Sequence, residues 1–99
     1  MNYRARKTDR NQTEIVKILR TIPGVTVETG HDDILVGFRG KTYWYEIKHP
    51  DTVSKKTSKV IASEITPSEK ERLKKFSGHY RIVWTVEQII EELNERSKK

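Results

Sequence analysis

The sequence contains no cysteine, which excludes a disulfide framework and any chemistry that needs a thiolate. It also lacks long hydrophobic runs: hydrophobic residues make up 33% of the 99 residues, and no run approaches the length of a membrane span. The N-terminal residues are polar and basic, without the apolar centre of a secretory signal. The length of 99 residues predicts a single domain, and these absences predict a reducing intracellular compartment with no membrane partner.

Acidic residues are fewer than basic ones, with 14 Asp and Glu against 20 Lys and Arg, and the formal net charge is +6. A basic surface suits a polyanion, because lysines and arginines that neutralise phosphates release condensed counterions. A basic protein without such a partner has the same composition, so the charge alone leaves both interpretations open.

Hydrophobic periodicity predicts the element order α-β-β-β-α-β-α. Apolar residues at helical spacing indicate a first helix that starts at its N-cap Asp9 and ends at Pro23-Gly24. Residues 1–8 would then be a flexible basic segment, and residues 9–99 would form the one domain.

The second helix has a clear start, because Thr66 and Glu69 form a capping box around a proline. We expect Leu73 and Phe76 to line the buried face of this helix. The other predicted elements are strands at 25–29, 33–38, 41–48 and 80–84, a long polar loop at 51–64, and a last helix capped by Thr85 and Gln88.

A tight hairpin at Arg39-Gly40 would fix the pairing of the second and third strands. In that register Asp33 lies directly opposite Glu46, with Cβ atoms roughly 4.5–5.5 Å apart. Lys48 follows Glu46 by two residues and therefore lies on the same face of the sheet. The register predicts a cluster of two acids and one lysine.

Two carboxylates that face each other destabilise a sheet, unless a cation lies between them. Mg²⁺ prefers oxygen ligands and is commonly held by one or two carboxylates together with water and phosphate. Lys48 beside such an ion would orient a water molecule or offset the charge of a phosphate. The competing interpretation is that Glu46 and Lys48 are solvated side chains on an exposed strand.

The residues around this cluster resemble the PD-(D/E)xK nuclease superfamily. The resemblance begins with the segment Gly30–Val36 (GHDDILV) and Tyr45–Lys48 (YEIK). Further along, Ile65–Glu69, Ser77-Gly78 and a strand that ends in Val83-Trp84 are similar to the VRR-NUC branch, above all to its small stand-alone phage and bacterial members. The similarity extends from the first helix to about Thr85.

The resemblance implies an α/β fold of the restriction-endonuclease-like type, with a mixed central sheet between flanking helices. It implies a metal-dependent endonuclease that hydrolyses phosphodiester bonds in branched DNA, such as four-way junctions or flaps. Asp33, Glu46 and the backbone carbonyl of Ile47 would bind Mg²⁺ or Mn²⁺, and Lys48 would assist the attacking water. The relatives further imply a homodimer in the cytoplasm of a bacterium or a phage-infected host, without a small-molecule cofactor.

Three acidic positions leave alternatives open. The family's proline is Asp32 here, so either Asp32 or Asp33 could bind the metal; the register favours Asp33. Glu14 falls where the family often has a glutamate on its first helix, and an exposed surface acid explains it equally well. Glu69 replaces a frequent glutamine and is either a capping residue or a candidate for supporting the metal ligands without binding the metal itself.

Other polar and aromatic residues around the motif are less specific. Trp44 should lie on the Glu46 face, where it packs under a helix or stacks on an unpaired base, and packing is the favoured interpretation. His31 and His49 flank the two acidic motifs and receive no catalytic role. The residues that we expect to follow DNA phosphates are Arg4, Arg6, Lys7, Lys55, Lys56, Lys59, Lys74 and Lys75.

Two functions compete with the nuclease. The first is a nucleic-acid-binding module that has the fold but does not cut DNA. The second is a helper subunit that supplies protein contacts to a replication or repair assembly.

Overall fold

The computed structural model describes residues 3–30 and 33–97, with side chains described for 11–30 and 33–95. The elements are α1 (Tyr3–Leu19), β1 (Val25–Thr29), β2 (Asp33–Phe38), β3 (Lys41–Ile47), α2 (Pro67–Lys75), β4 (Arg81–Val83) and α3 (Val86–Ser97), with short 3₁₀ helices at Pro50–Thr52 and Ala62–Glu64. The predicted order of helices and strands is confirmed. The protein is a small α/β domain with a four-stranded mixed sheet and flanking helices.

The sheet has the strand order β1-β2-β3-β4, in which the first three strands are antiparallel and β4 runs parallel to β3. Arg39 and Gly40 both have positive φ, at 54° and 79°, as the two central residues of a type I′ hairpin turn require. This turn sets the register of β2 against β3, and Asp33 pairs with Glu46. The register predicted from the sequence is confirmed.

The hydrophobic core lies on the face of the sheet that α1 and α3 cover. Alternate strand residues point into it, among them Ile34, Val36, Tyr43, Tyr45, Ile47 and Val83, and they meet Ile15, Leu19, Ile89 and Leu93 of the two helices. Burying one such aliphatic side chain contributes about 1.5–3 kcal/mol. Because strand residues alternate, Asp33, Trp44 and Glu46 lie on the opposite face, which α2 partly covers.

On the core side of the sheet, hydrogen bonds between polar side chains connect β3 to α3. The Tyr45 hydroxyl donates to Glu92 Oε1 at 2.5 Å. His79 Nδ1 accepts from the backbone N–H of Trp44 at 3.1 Å, so the ring proton is on Nε2, which lies 2.9 Å from the same Glu92 oxygen. Burial alone would raise the pKa of Glu92, but the hydrogen bonds from Tyr45 and His79 outweigh it and lower that pKa.

The first helix is longer than predicted. It begins at Tyr3, so Asp9 lies inside the helix and is not its N-cap. Residues 3–8, expected as a flexible segment before the helix, are part of it, because Arg, Ala and Lys are good helix formers and neither Gly nor Pro interrupts the segment. The other capping predictions are confirmed: Thr66 and Glu69 form a capping box, and Thr85 and Gln88 exchange hydrogen bonds at the start of α3.

The face that α2 turns to the sheet is polar, and the prediction that Leu73 and Phe76 are buried was wrong. Both side chains are 46% exposed, whereas Glu69 is 8% exposed. Ion pairs and cation–π contacts from Glu69 and Arg72 fix the rotation of the helix, and they override its short apolar pattern. The loop expected at 51–64 also has more structure than predicted, with the two 3₁₀ helices and an antiparallel bridge between Val53 and Val60.

Candidate active site

Asp33 begins β2 at the edge of the polar sheet face, and its carboxylate lies close to Trp44 and to Gly30. Oδ2 accepts a hydrogen bond of 2.7 Å from Trp44 Nε1. The backbone N–H of Gly30 donates to the Asp33 carbonyl at 2.7 Å, and a methyl group at Gly30 would collide with Oδ1. The carboxylate therefore depends on a glycine at position 30 and on the indole at position 44 for its orientation.

Glu46 is a buried acid, with an exposed fraction of 5%. The Tyr80 hydroxyl donates to its Oε1 at 3.1 Å, and Arg72 Nη1 lies 3.8 Å from the same oxygen. Burial and the adjacent negative charge of Glu69 raise the pKa of Glu46 to about 7. A carboxylate that holds its proton near neutral pH is poised to exchange that proton for a cation.

Glu69 joins the end of β3 to α2. Its Oε1 lies 3.0 Å from Lys48 Nζ, and the same oxygen accepts from the backbone N–H of Thr66 at 3.0 Å. Burial alone would raise the pKa of Glu69, but the Thr66 N–H and Lys48 outweigh it and lower that pKa. The capping box and the lysine contact thus use one carboxylate, which fixes the Lys48 ammonium beside Glu46.

The backbone at this edge of the sheet is also tied to α1. Asn11 Nδ2 donates to the carbonyl of Lys48 at 2.9 Å, and Gln12 Nε2 donates to the carbonyl of Gly30 at 3.4 Å. Both carbonyls belong to residues that flank the acidic pair. Sequence reasoning did not assign Asn11 any role, because a polar residue on a helix carries no signal of a contact 37 residues away.

Arg72 is a site residue that sequence reasoning missed. Its guanidinium carbon lies 4.7 Å from the ring centre of Trp44 and 5.1 Å from that of Tyr80. Nη1 also donates to the Tyr80 hydroxyl at 3.3 Å. The available signal was its spacing: Arg72 follows Glu69 by three residues on a helix and so shares its face.

The acids offer hard oxygen ligands but few of them. Among the side chains described, no group of three or more histidine, cysteine or acidic residues is arranged to hold a metal ion. Asp33 and Glu46 face each other in the register, and the carbonyl of Ile47 is adjacent at the end of β3. Two carboxylates fit a Mg²⁺ ion that keeps several waters and takes further oxygens from a substrate.

The remaining predicted acids and histidines are not part of this cluster. Glu14 is exposed on α1, and within the described side chains no hydrogen bond or ion pair joins it to Asp33, Glu46 or Lys48. His49 caps the first 3₁₀ helix, where its Nδ1 accepts from Asp51 N–H at 3.0 Å. His31 and Asp32 lie outside the described residues.

The predicted phosphate contacts divide into three groups. The side chains of Arg4, Arg6 and Lys7 lie outside the described part of the structure. Lys55, Lys56 and Lys59 are exposed on the bridged loop between Val53 and Val60. Lys74 and Lys75 are exposed on α2, and Lys75 Nζ is paired with Glu71 at 2.7 Å.

Comparisons of the chain with protein-family models, curated proteins and solved structures found no match. Within residues 3–30 and 33–97, no helix combines the length and the apolar character that crossing a membrane requires.

Proposed function

We propose that this protein is a metal-dependent endonuclease of the PD-(D/E)xK type, with a restriction-endonuclease-like fold similar to the VRR-NUC branch. The observation that carries the proposal is the direct pairing of Asp33 with Glu46 on a polar sheet face. Glu46 is buried and has a pKa of about 7, and Lys48, which pairs with Glu69, is close enough to act on it electrostatically. Perturbed carboxyl groups next to a lysine are typical of hydrolytic centres.

Each residue has a distinct role in this proposal. Asp33, Glu46 and the carbonyl of Ile47 would hold Mg²⁺ or Mn²⁺, which supplies an activated water and offsets charge on the phosphate. Lys48 donates a hydrogen bond to that water or to a phosphate oxygen. Glu69 lies 3.0 Å from the Lys48 ammonium and restricts its position, which favours a fixed geometry for the reaction.

The proposed substrate is DNA, preferably branched, and the proposed active form is a cytoplasmic homodimer. A chain of 99 residues with a net charge of +6 offers little surface for a duplex, but a two-fold dimer would present two centres and two basic surfaces. Exposed Lys55, Lys56, Lys59 and Lys74 would bind backbone phosphates around each centre.

A cleavage assay with variants tests the proposal. Linear, flapped and four-way DNA would be incubated with the protein in Mg²⁺, in Mn²⁺ and in EDTA. We expect cutting with either metal and none in EDTA. Asp33→Asn and Glu46→Gln should reduce the rate at least about 100-fold, since each removes a charged metal ligand, while DNA binding persists.

The control is Glu28→Gln, which removes an exposed carboxylate from β1 and should cut at the rate of the parent protein. Cutting that survives EDTA, or that survives both site variants, would refute the metal mechanism. DNA binding without any cutting in either metal would identify a non-catalytic binding module. Absence of both binding and cutting would favour a helper subunit.

A further inference from the structure

We propose that Arg72 binds a phosphate of the DNA next to the bond that is cut. This inference rests on the proposed nuclease function and adds a substrate-binding residue to it. The guanidinium of Arg72 lies on the polar face of the sheet, 3.8 Å from Glu46 Oε1. Lys48, two residues after Glu46 on the same strand face, is held by Glu69 at 3.0 Å.

The contacts with aromatic rings position Arg72 and use only one of its hydrogen-bond donors among the described residues. Trp44 and Tyr80 pack against the guanidinium at 4.7 Å and 5.1 Å, and cation–π contacts of this kind hold its charge against a ring face. A guanidinium has five N–H donors. Among the described residues, one of them reaches the Tyr80 hydroxyl at 3.3 Å, which leaves donors for a ligand.

Arg72 is also accessible, because 32% of its side chain is exposed, against 6% for that of Glu46. An arginine that served only as the counter-ion of Glu46 should form a short, paired contact with the carboxylate. The separation of 3.8 Å is longer than such a bond. A planar, partly exposed guanidinium with spare donors matches the geometry of a phosphate group.

The rest of α2 supports a role in binding rather than in packing. Arg72 follows Glu69 by three residues, so both point to the sheet, while Leu73 is 46% exposed. The helix therefore turns two charged side chains inward at the active centre in place of an apolar one. Both reach the acidic pair from above the same sheet face.

The test is the salt dependence of DNA binding, measured in EDTA so that no cutting occurs. A fluorescein-labelled four-way junction of synthetic DNA would be titrated at several salt concentrations with the parent protein, Arg72→Gln, Arg72→Lys and Lys70→Gln. Lys70 is exposed on the same helix, so Lys70→Gln removes the same charge without touching the centre. Urea unfolding would establish that each variant is folded.

Because log K falls with log salt, loss of one phosphate contact reduces the magnitude of this negative slope by about 0.9. We expect Arg72→Gln to show this drop and to weaken binding about tenfold, with Arg72→Lys keeping the slope. An unchanged slope for Arg72→Gln, or a change no larger than that of Lys70→Gln, would overturn the assignment of Arg72. If the parent protein binds no DNA, the nuclease proposal and the Arg72 assignment both fail. If the parent protein binds and cuts DNA, the slope measured for Arg72→Gln decides the Arg72 assignment and leaves the nuclease proposal unaffected.

Discussion

Replacing Glu46 with glutamine should make the metal-free protein more stable at alkaline pH. Burial and the charge of Glu69 raise the pKa of Glu46 from 4.5 to about 7. The folded protein therefore binds a proton here that the unfolded chain has already released, and stability falls as the pH rises through this interval. Glutamine keeps the shape, can accept from Tyr80 and can donate to Glu69, but it carries no charge.

The size of the effect follows from the shift. At about 1.4 kcal/mol per pKa unit, the change from 4.5 to about 7 corresponds to roughly 3 kcal/mol once Glu46 is fully ionised. Between about pH 5 and about pH 8 the stability of the parent protein should fall relative to Glu46→Gln by roughly 2–3 kcal/mol. Titrating groups that do not contact Glu46 are common to both proteins and cancel in this difference, whereas the coupled carboxyl of Glu69 contributes to it.

Urea unfolding at several pH values in EDTA measures this difference through the midpoint and the slope of each transition. Glu28→Gln is the matched control, because Glu28 is exposed on β1 and should show the same pH dependence as the parent protein. A difference between Glu46→Gln and the parent that stays constant from about pH 5 to about pH 8 would refute the buried, proton-holding acid. Mg²⁺ should stabilise the parent at the alkaline end and leave Glu46→Gln unchanged.

Two further changes test the supports of the site. Tyr45→Phe should lower the free energy of unfolding by about 1–3 kcal/mol, because it removes the 2.5 Å hydrogen bond to the half-buried Glu92. A urea midpoint equal to that of the parent protein would contradict this prediction. Gly30→Ala should reduce cleavage at least about tenfold with little loss of stability, since the new methyl group displaces the Asp33 carboxylate. Full activity in the cleavage assay would contradict the requirement for this carboxylate position.

The central pair could be predicted from the sequence because its position depends on local rules. A two-residue turn at Arg39-Gly40 leaves one register for the hairpin, and that register places Asp33 opposite Glu46. The same register makes Trp44 a diagonal neighbour of Asp33, although the hydrogen bond between them was not among the predictions, which gave Trp44 a packing role. Turn chemistry and strand alternation were sufficient for the acid pair.

The contribution of α2 could not be predicted in the same way. Its apolar residues Leu73 and Phe76 suggested an inward face, yet both are 46% exposed. The rotation of the helix depends on an ion pair with Lys48 and on the stacking of Arg72 against Trp44. These partners are distant in the sequence, and no local pattern on α2 indicates which strand residues it will meet.

The error at α1 has a simpler physical cause. A capping residue marks a helix start only where the preceding residues disfavour the helix, and the residues before Asp9 are good helix formers. The first helix therefore continues back to Tyr3.

The acids on the polar face of the sheet lower the free energy of unfolding of the domain, because they lie close together. Glu46 is buried beside another carboxylate and faces Asp33 across the strands, an arrangement that costs free energy unless a cation is bound. The opposite face compensates, because the same strand carries Tyr45 and Ile47 into a core with α1 and α3. Since strand residues alternate, each residue of β3 belongs either to the core or to the site. Under the proposed function, a bound cation would offset the cost of the Asp33–Glu46 pair, beyond what the hydrogen bonds from Trp44 and Tyr80 already provide.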